Sequence, residues 1–155
     1  MKKEVKFRLI IGVIVVIAII AIIFSIKTLS NLNGLAPFEK NLPRDMNEMN
    51  SISENLLQAL GNEDYPSFSR DFSQGMKLQL NEELFFQTKQ LLENTSGSYV
   101  SKEPSKFYEH DPYEIYQYAC CFEKENVTLT LYMNSSLIEG LYFDSENLRK
   151  LINEA

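Results

Sequence analysis

The sequence contains few of the residues that build metal, redox and nucleophilic sites. It has two cysteines and one histidine among 155 residues, and Cys120 and Cys121 are adjacent, so the C-x-x-C spacing of zinc and redox sites does not occur. Neighbouring strand residues point to opposite faces, which places these sulfurs poorly for a mutual disulfide. A vicinal disulfide is the alternative. We expect one thiol in the core and the other free on the surface, with no metal and no cofactor.

The glycine patterns of catalytic loops are also missing. Neither a nucleophile elbow nor a phosphate-binding loop can be found in the sequence. His110, the single histidine, lies in an acidic turn between predicted strands and lacks the nitrogen or sulfur partners that a metal site needs. The sequence therefore carries no catalytic signature.

One long apolar run dominates the N-terminal part of the sequence. Residues 9–26 contain no charged side chain, and as a helix they would span about 27 Å, close to the hydrocarbon thickness of a bilayer. A cleaved signal peptide is the competing interpretation. It is disfavoured because the run is long for a signal core and Ser25 is followed by Ile26 and Lys27, which makes a poor cleavage site.

The basic residues around this run predict its orientation. Lys2, Lys3, Lys6 and Arg8 precede it, whereas Lys27 alone follows closely. The positive-inside rule then places the N-terminus in the cytoplasm and the remainder outside it, in a single-pass, signal-anchor arrangement.

The predicted organisation has four parts. A basic cytoplasmic stub (1–8) is followed by a transmembrane helix in the lipid bilayer (9–26), a linker (27–42) and an extracytoplasmic domain (43–155).

The extracytoplasmic part is strongly acidic. The chain carries a net charge of −6, and after residue 27 it has 20 Asp and Glu against ten Lys and Arg. Nucleic-acid binding requires a basic surface that displaces counterions, so this composition predicts no nucleic-acid partner.

Apolar spacing predicts three helices and then four strands. The first helix begins near Pro43 and ends at Gly61, the second is capped by Asp64 and broken by Gly75, and the third begins at Asn81 and ends at Gly97. Period-two alternation then predicts strands at residues 99–103, 113–123, 127–133 and 137–143, followed by a last amphipathic turn at 147–152. Pro104 is expected to stop the first strand. This order predicts an α+β domain whose helices cover one face of a four-stranded antiparallel sheet.

Several short segments resemble those of a known family. The stretch over residues 51–148 is similar to domain-of-unknown-function family 3887, and the segments that carry the resemblance are Leu57-Gln58-Ala59-Leu60, Asn62-Glu63-Asp64-Tyr65, Phe68-Ser69-Arg70-Asp71-Phe72, Gly97-Ser98-Tyr99-Val100-Ser101 and Gly140-Leu141-Tyr142-Phe143-Asp144. The order of elements resembles the nuclear-transport-factor-2-like, or cystatin-like, fold. That resemblance implies a curved sheet around a pocket where some relatives bind or isomerise small apolar molecules, and an outer sheet face through which related folds often dimerise. The family has no assigned catalytic residues.

An enzyme of this kind would need a carboxylate base and a proton donor facing one another in an apolar cavity. Asp144 is the candidate base, with Tyr142, Tyr116 or Tyr118 as the donor. Asp144, however, stands where the last strand ends, a position typical of turns and helix caps.

The tyrosines of the sheet suggest a binding surface instead. Tyr116, Tyr118 and Tyr132 are the candidate ligand or partner residues, because exposed aromatic side chains are enriched at interfaces. Tyr132 alternates away from the apolar residues of its strand and is expected on the outer face. We therefore predict a membrane-anchored, non-enzymatic module that binds a protein partner, a second copy or a small apolar ligand. A cavity enzyme of the isomerase or hydratase type is the alternative, and a spacer without any site is a third possibility.

Overall fold

The structure is a computed structural model that describes residues 46–153. The predicted stub, membrane helix and linker therefore lie outside the described residues. Within 46–153, no helix is both long and apolar enough to cross a membrane.

The described chain forms five helices and one four-stranded antiparallel sheet with strand order β1-β2-β3-β4. The elements are α1 Met46–Gly61, α2 Tyr65–Phe68, α3 Gln74–Gln79, α4 Glu82–Thr95, β1 Tyr99–His110, β2 Tyr113–Phe122, β3 Asn126–Asn134, β4 Leu137–Asp144 and α5 Glu146–Asn153. The predicted α+β class, with helices preceding an antiparallel meander, is confirmed.

The core lies between the helices and one face of the sheet, which we call the inner face. Helix α1 contributes Met49, Leu56 and Leu57, which are almost completely buried because they recur at helical spacing. They belong to one apolar cluster with Leu129 and Leu131 of β3. Burying a side chain of this size contributes about 2 kcal/mol to the free energy of folding.

The helical region departs from the prediction around Gly75. We expected one helix from Asp64 to Gly75, but α2 ends at Phe68 and Gly75 is the second residue of a further helix, α3. The physical reason is a tertiary contact. Ser73 N donates to Ile138 O (3.0 Å) and Ile138 N donates to Asp71 O (2.8 Å), so the chain leaves its helix to pair with the edge of β4.

Strand β1 also departs from the prediction, because it continues through Pro104 as far as His110. Pro104 pairs with Tyr118 in the ladder, and the register shifts between Pro104 and Lys106. Since β1 is an edge strand, a proline whose nitrogen faces away from β2 removes no ladder hydrogen bond. The same proline and bulge protect this edge against pairing with other chains.

Candidate functional site

The strand registers assign each sheet residue to the inner or the outer face. Directly opposed residues of an antiparallel ladder share a face. Tyr118 is opposite Leu129, and Leu129 is opposite Phe143, so these three lie on the inner face. The row that crosses the outer face consists of Tyr108, Ile115, Tyr132 and Gly140.

Tyr132 is the central side chain of this outer row. Its ring makes an edge contact with Tyr113, with centroids 6.4 Å apart. The ring also lies over Gly140, where an added Cβ would stand only 3.2 Å from Tyr132 Cδ2. The missing side chain at Gly140 therefore makes room for the tyrosine. Partial burial raises the pKa of Tyr132, as expected for a ring that is half covered by its neighbours.

The outer face of the two central strands carries no charge. Its side chains on β2 and β3 are Tyr113, Ile115, Gln117, Ala119, Cys121, Asn126, Thr128, Thr130, Tyr132 and Asn134. By contrast, residues 46–153 as a whole contain 17 Asp and Glu against eight Lys and Arg. We call this uncharged surface, together with Tyr142 of β4, the outer tyrosine face.

Two of the three tyrosines proposed for binding lie elsewhere. Tyr116 and Tyr118 are on the inner face and are 2% and 1% exposed, packed in the core beneath the helices. A protein partner cannot reach side chains in this position, so we assign both to the core. Tyr132 is on the outer face, as the alternation of apolar residues in β3 predicts.

The hydroxyl of Tyr118 has an unusual environment. It is buried and makes no hydrogen bond of ordinary geometry to a described residue. Burial raises the pKa of Tyr118, and the Ser53 hydroxyl lies near enough to oppose this effect in part. The Tyr118 ring also makes a cation–π contact, because the Lys102 ammonium lies 4.8 Å from its centroid.

The proposed acid–base pair is placed on the outer side of the molecule. Asp144 forms an ion pair with Arg149 (Oδ1 to Nε, 3.0 Å) and its side chain is 30% exposed. Burial and the nearby Asp144 carboxylate raise the pKa of Tyr142. The Asp144 carboxylate is thus partly exposed and paired with a cation, which differs from the carboxyl group in an apolar cavity that such an enzyme would need.

A second feature is a groove of about 760 Å³ between α1 and β1. It is open to solvent, and its walls present polar and apolar surface in equal parts, from side chains that include Asn50, Glu54, Asn55, Gln58, Lys102 and Pro104. The sequence analysis did not identify this groove. No local sequence pattern predicts the groove, because α1 and β1 come together only through the packing of the core.

Glu54 makes polar contacts with three other side chains in and around the groove. Its carboxylate accepts hydrogen bonds from Tyr99 Oη (2.9 Å) and Gln58 Nε2 (3.0 Å), and it lies 3.7 Å from Lys102 Nζ. Burial acts to raise the pKa of Glu54, but these hydrogen bonds and the Lys102 charge outweigh it and leave the pKa lowered. Burial and the bond to Glu54 raise the pKa of Tyr99.

The remaining candidate groups do not assemble into a reactive centre. Cys120 is buried and Cys121 is exposed, and both are free thiols, which agrees with the predicted division between core and surface. His110 is exposed at the end of β1. Among residues 46–153, no three His, Cys, Asp or Glu side chains are grouped so that they could hold a metal ion.

Comparison with known proteins gives one match. No curated protein and no solved structure is significantly similar to this chain. A protein-family model described as "Protein of unknown function (DUF3887)" matches residues 53–141. The matched stretch includes most of α1, the three helices that follow, the first three strands and the part of β4 that contains Gly140. Since this is more than half of the sequence, the chain belongs to the DUF3887 family.

Proposed function

We propose that this protein is a membrane-anchored, extracytoplasmic, non-enzymatic module that binds another protein through its outer tyrosine face. The anchor is the apolar run at residues 9–26, and the acidic domain is the part that it displays. The observation that carries the proposal is an uncharged, tyrosine-bearing surface on the two central strands, on a domain that is otherwise rich in carboxylates; the charged residues of this sheet face, Glu103, Lys106 and Asp144, lie on the flanking strands. The helix-then-meander order also supports the nuclear-transport-factor-2-like interpretation of the fold.

The composition of this face is that of an interface centre. Protein interfaces are depleted in charged residues at their centre and enriched in tyrosine. A sheet face that only contacts water is normally polar and often carries charged side chains, and the central strands carry no charge on this face. The half-buried rings of Tyr132 and Tyr142 offer apolar area together with hydroxyl groups, which suits recognition of a protein surface.

A second copy of this chain is the occupant that fits the face best. Two acidic domains repel one another, so close approach is least unfavourable through a surface whose centre carries no carboxylate. A two-fold contact brings the same patch of each copy together. Anchoring both copies in one membrane also raises their effective concentration, which favours even a weak contact.

The test is the oligomeric state of the full-length chain in detergent, measured by light scattering during size-exclusion chromatography. We expect the wild type to form a dimer. Tyr132→Ala should be largely monomeric because it removes the central ring. Ala119→Lys should have the same effect by placing a charge on the face, and since Ala119 is exposed, this change removes no packing.

The matched control is Phe86→Ala, which removes a partly exposed aromatic ring (38%) from the helical side of the domain and should leave the dimer intact. A dimer that persists in both Tyr132→Ala and Ala119→Lys would show that another surface holds the copies together. A wild type that is monomeric at all concentrations would refute self-association, and a different protein that co-purifies only when Tyr132 is present would then be the partner.

The enzymatic alternative receives no support from the geometry of its residues. Asp144 is paired with Arg149, and Tyr142, which lies on the outer face, is only partly exposed. A small apolar ligand in the groove between α1 and β1 would lie against the Glu54 and Lys102 side chains, and covering such charged groups with apolar surface is unfavourable.

A further inference from the structure

The groove between α1 and β1 contains a cation whose hydrogen-bonding capacity is not used. The Lys102 side chain is only 7% exposed, and its ion pair with Glu54 is long, at 3.7 Å. Within the part of the chain that is described, the ammonium makes a cation–π contact with Tyr118 but no hydrogen bond of ordinary length. Glu54 is already engaged by Tyr99 and Gln58. A nearly buried ammonium with free donors is costly unless something accepts from it.

A residue that lines the same groove also has an acceptor atom without a partner. Asn50 Oδ1 is buried and has no hydrogen-bond donor among the described residues, although Asn50 itself is partly exposed and lines the groove. Rotation about its Cβ–Cγ bond would turn the amide towards the groove, and either end of an amide can bond a ligand. The groove thus offers a donor that is engaged only by the long ion pair with Glu54 and, after rotation of the Asn50 amide, an acceptor.

The charges in the groove select the class of ligand. Glu54 and Lys102 have opposite charges and compensate each other, so the groove has little net preference for an ion. An anionic ligand that approached Lys102 would also approach the Glu54 carboxylate. The volume lies within the range of about 300–1,000 Å³ that is usual for small-molecule sites. Amides, a carboxylate and an ammonium are suited to hydroxyl groups, which both donate and accept.

We propose that the groove between α1 and β1 binds a neutral saccharide, with Lys102 donating to a sugar oxygen and Asn50 accepting from a hydroxyl or acetamido group. This site lies on the opposite side of the sheet from the outer tyrosine face and does not depend on the proposed dimer. Because the groove is open and its polar contacts are few, the expected dissociation constant is on the order of 1 mM.

The test is saturation-transfer difference NMR on the full-length chain with glucose, N-acetylglucosamine and chitobiose as probes. The chain must be held in a detergent without a sugar headgroup, such as lauryldimethylamine oxide, because a glycoside detergent would compete. We expect saturation transfer to at least one probe. Lys102→Met should weaken that binding at least tenfold, since it removes the charged donor and keeps the length of the side chain.

Lys106→Met is the matched control, because Lys106 is an exposed lysine of the same strand that faces away from the groove. It should bind like the wild type. If Lys102→Met does not fold, Asn50→Ala leaves the packing of Lys102 in place and should bind several-fold more weakly.

Three results would overturn the proposal. They are no transfer to any of the three sugars, unchanged affinity in the folded Lys102→Met or Asn50→Ala variant, and tighter binding of glucuronate than of glucose. The last result would mean that the groove prefers an anion.

Discussion

Gly97 occupies a backbone conformation that other residues rarely adopt. Its φ is +83°, and an added Cβ would lie 2.9 Å from Glu123 Cβ. Both the positive φ of this residue and the close approach of Glu123 therefore require glycine. We expect Gly97→Ala to lower the free energy of unfolding by about 2 kcal/mol, measured by urea denaturation followed by circular dichroism.

Gly61 provides the comparison for that measurement. It ends α1, has no neighbour within 4 Å of an added Cβ and does not have a positive φ. Gly61→Ala should raise the free energy of unfolding by up to about 1 kcal/mol, because alanine is the better helix residue. If both substitutions had the same effect, the explanation from backbone strain at Gly97 would be wrong.

Glu125 joins three parts of the chain through one carboxylate. Oε1 accepts from Ser96 Oγ (2.6 Å) and Ser145 Oγ (2.7 Å), and Oε2 accepts from Asn147 N (3.1 Å). These bonds tie the end of α4 and the start of α5 to the turn between β2 and β3. Burial acts to raise the pKa of Glu125, but the hydrogen bonds outweigh it and lower the pKa below the usual 4.5.

A lowered carboxylate pKa makes the domain sensitive to acid. The contribution of Glu125 to stability is complete above pH 4.5, its ordinary pKa, and is lost as the pH falls through the lower pKa of the folded state. Glu125→Gln should cost about 1 kcal/mol at neutral pH and should flatten the dependence of the melting temperature on pH in the acid range. Equal acid sensitivity in the variant would assign the effect to other carboxylates, such as Glu54, whose pKa is also lowered.

At the scale of helices and strands, α3 begins at an N-terminal cap, Ser73, that the sequence patterns did not predict. Ser73 Oγ accepts a hydrogen bond from Met76 N at 3.1 Å, and Ser73 is buried. Ser73→Ala should lower the free energy of unfolding by about 1 kcal/mol through loss of this cap. The Ser73 backbone bond to Ile138 is retained in the variant.

The control for this cap is Ser101→Ala, at an exposed serine of β1, which should change the free energy of unfolding by less than about 0.5 kcal/mol. Thermal unfolding of both variants by circular dichroism decides the question. Equal stability of the Ser73 variant and the wild type would show that α3 is held by its contact with β4 alone.

Local pattern was sufficient to predict four strands in an antiparallel meander, but it was wrong about the length of β1 and insufficient for the segments that tertiary contacts reshape. The alternation of Val127, Leu129 and Leu131 predicted β3 and its inner face, because a half-buried strand needs that period. The end of α2 depends instead on a pairing of Asp71 and Ser73 with Ile138, which no neighbouring residue reveals. Likewise, Tyr116 and Tyr118 were candidates for a surface because aromatic content does not show whether helices cover a face.

Of the candidate sites, one could be located from the sequence and the other could not. Tyr132 could be placed on the outer face from the period of β3. The groove could not be predicted, since Glu54 and Lys102 meet only after α1 packs against β1. The absence of charge on the outer tyrosine face became visible only when the strand registers brought β2 and β3 together.

At the scale of the whole molecule, the proposed membrane topology can be tested with the native thiols. Cys121 is exposed and Cys120 is buried, and the sequence contains no other cysteine. If residues 9–26 anchor the domain outside the cytoplasm, a membrane-impermeant maleimide should label the protein on intact cells. Cys121→Ser should abolish this labelling. Labelling that requires permeabilised cells would place the domain in the cytoplasm and remove the basis of the proposed function.

The opposite environments of the two adjacent cysteines have one more consequence. Cys120 is 1% exposed, and burial raises the pKa of its thiol to about 12, so it hardly forms the reactive thiolate at neutral pH. A native molecule therefore gains one alkylated sulfur and a denatured molecule gains two. Counting added mass by mass spectrometry after a short alkylation pulse would therefore report the fraction of denatured chains without an introduced fluorophore.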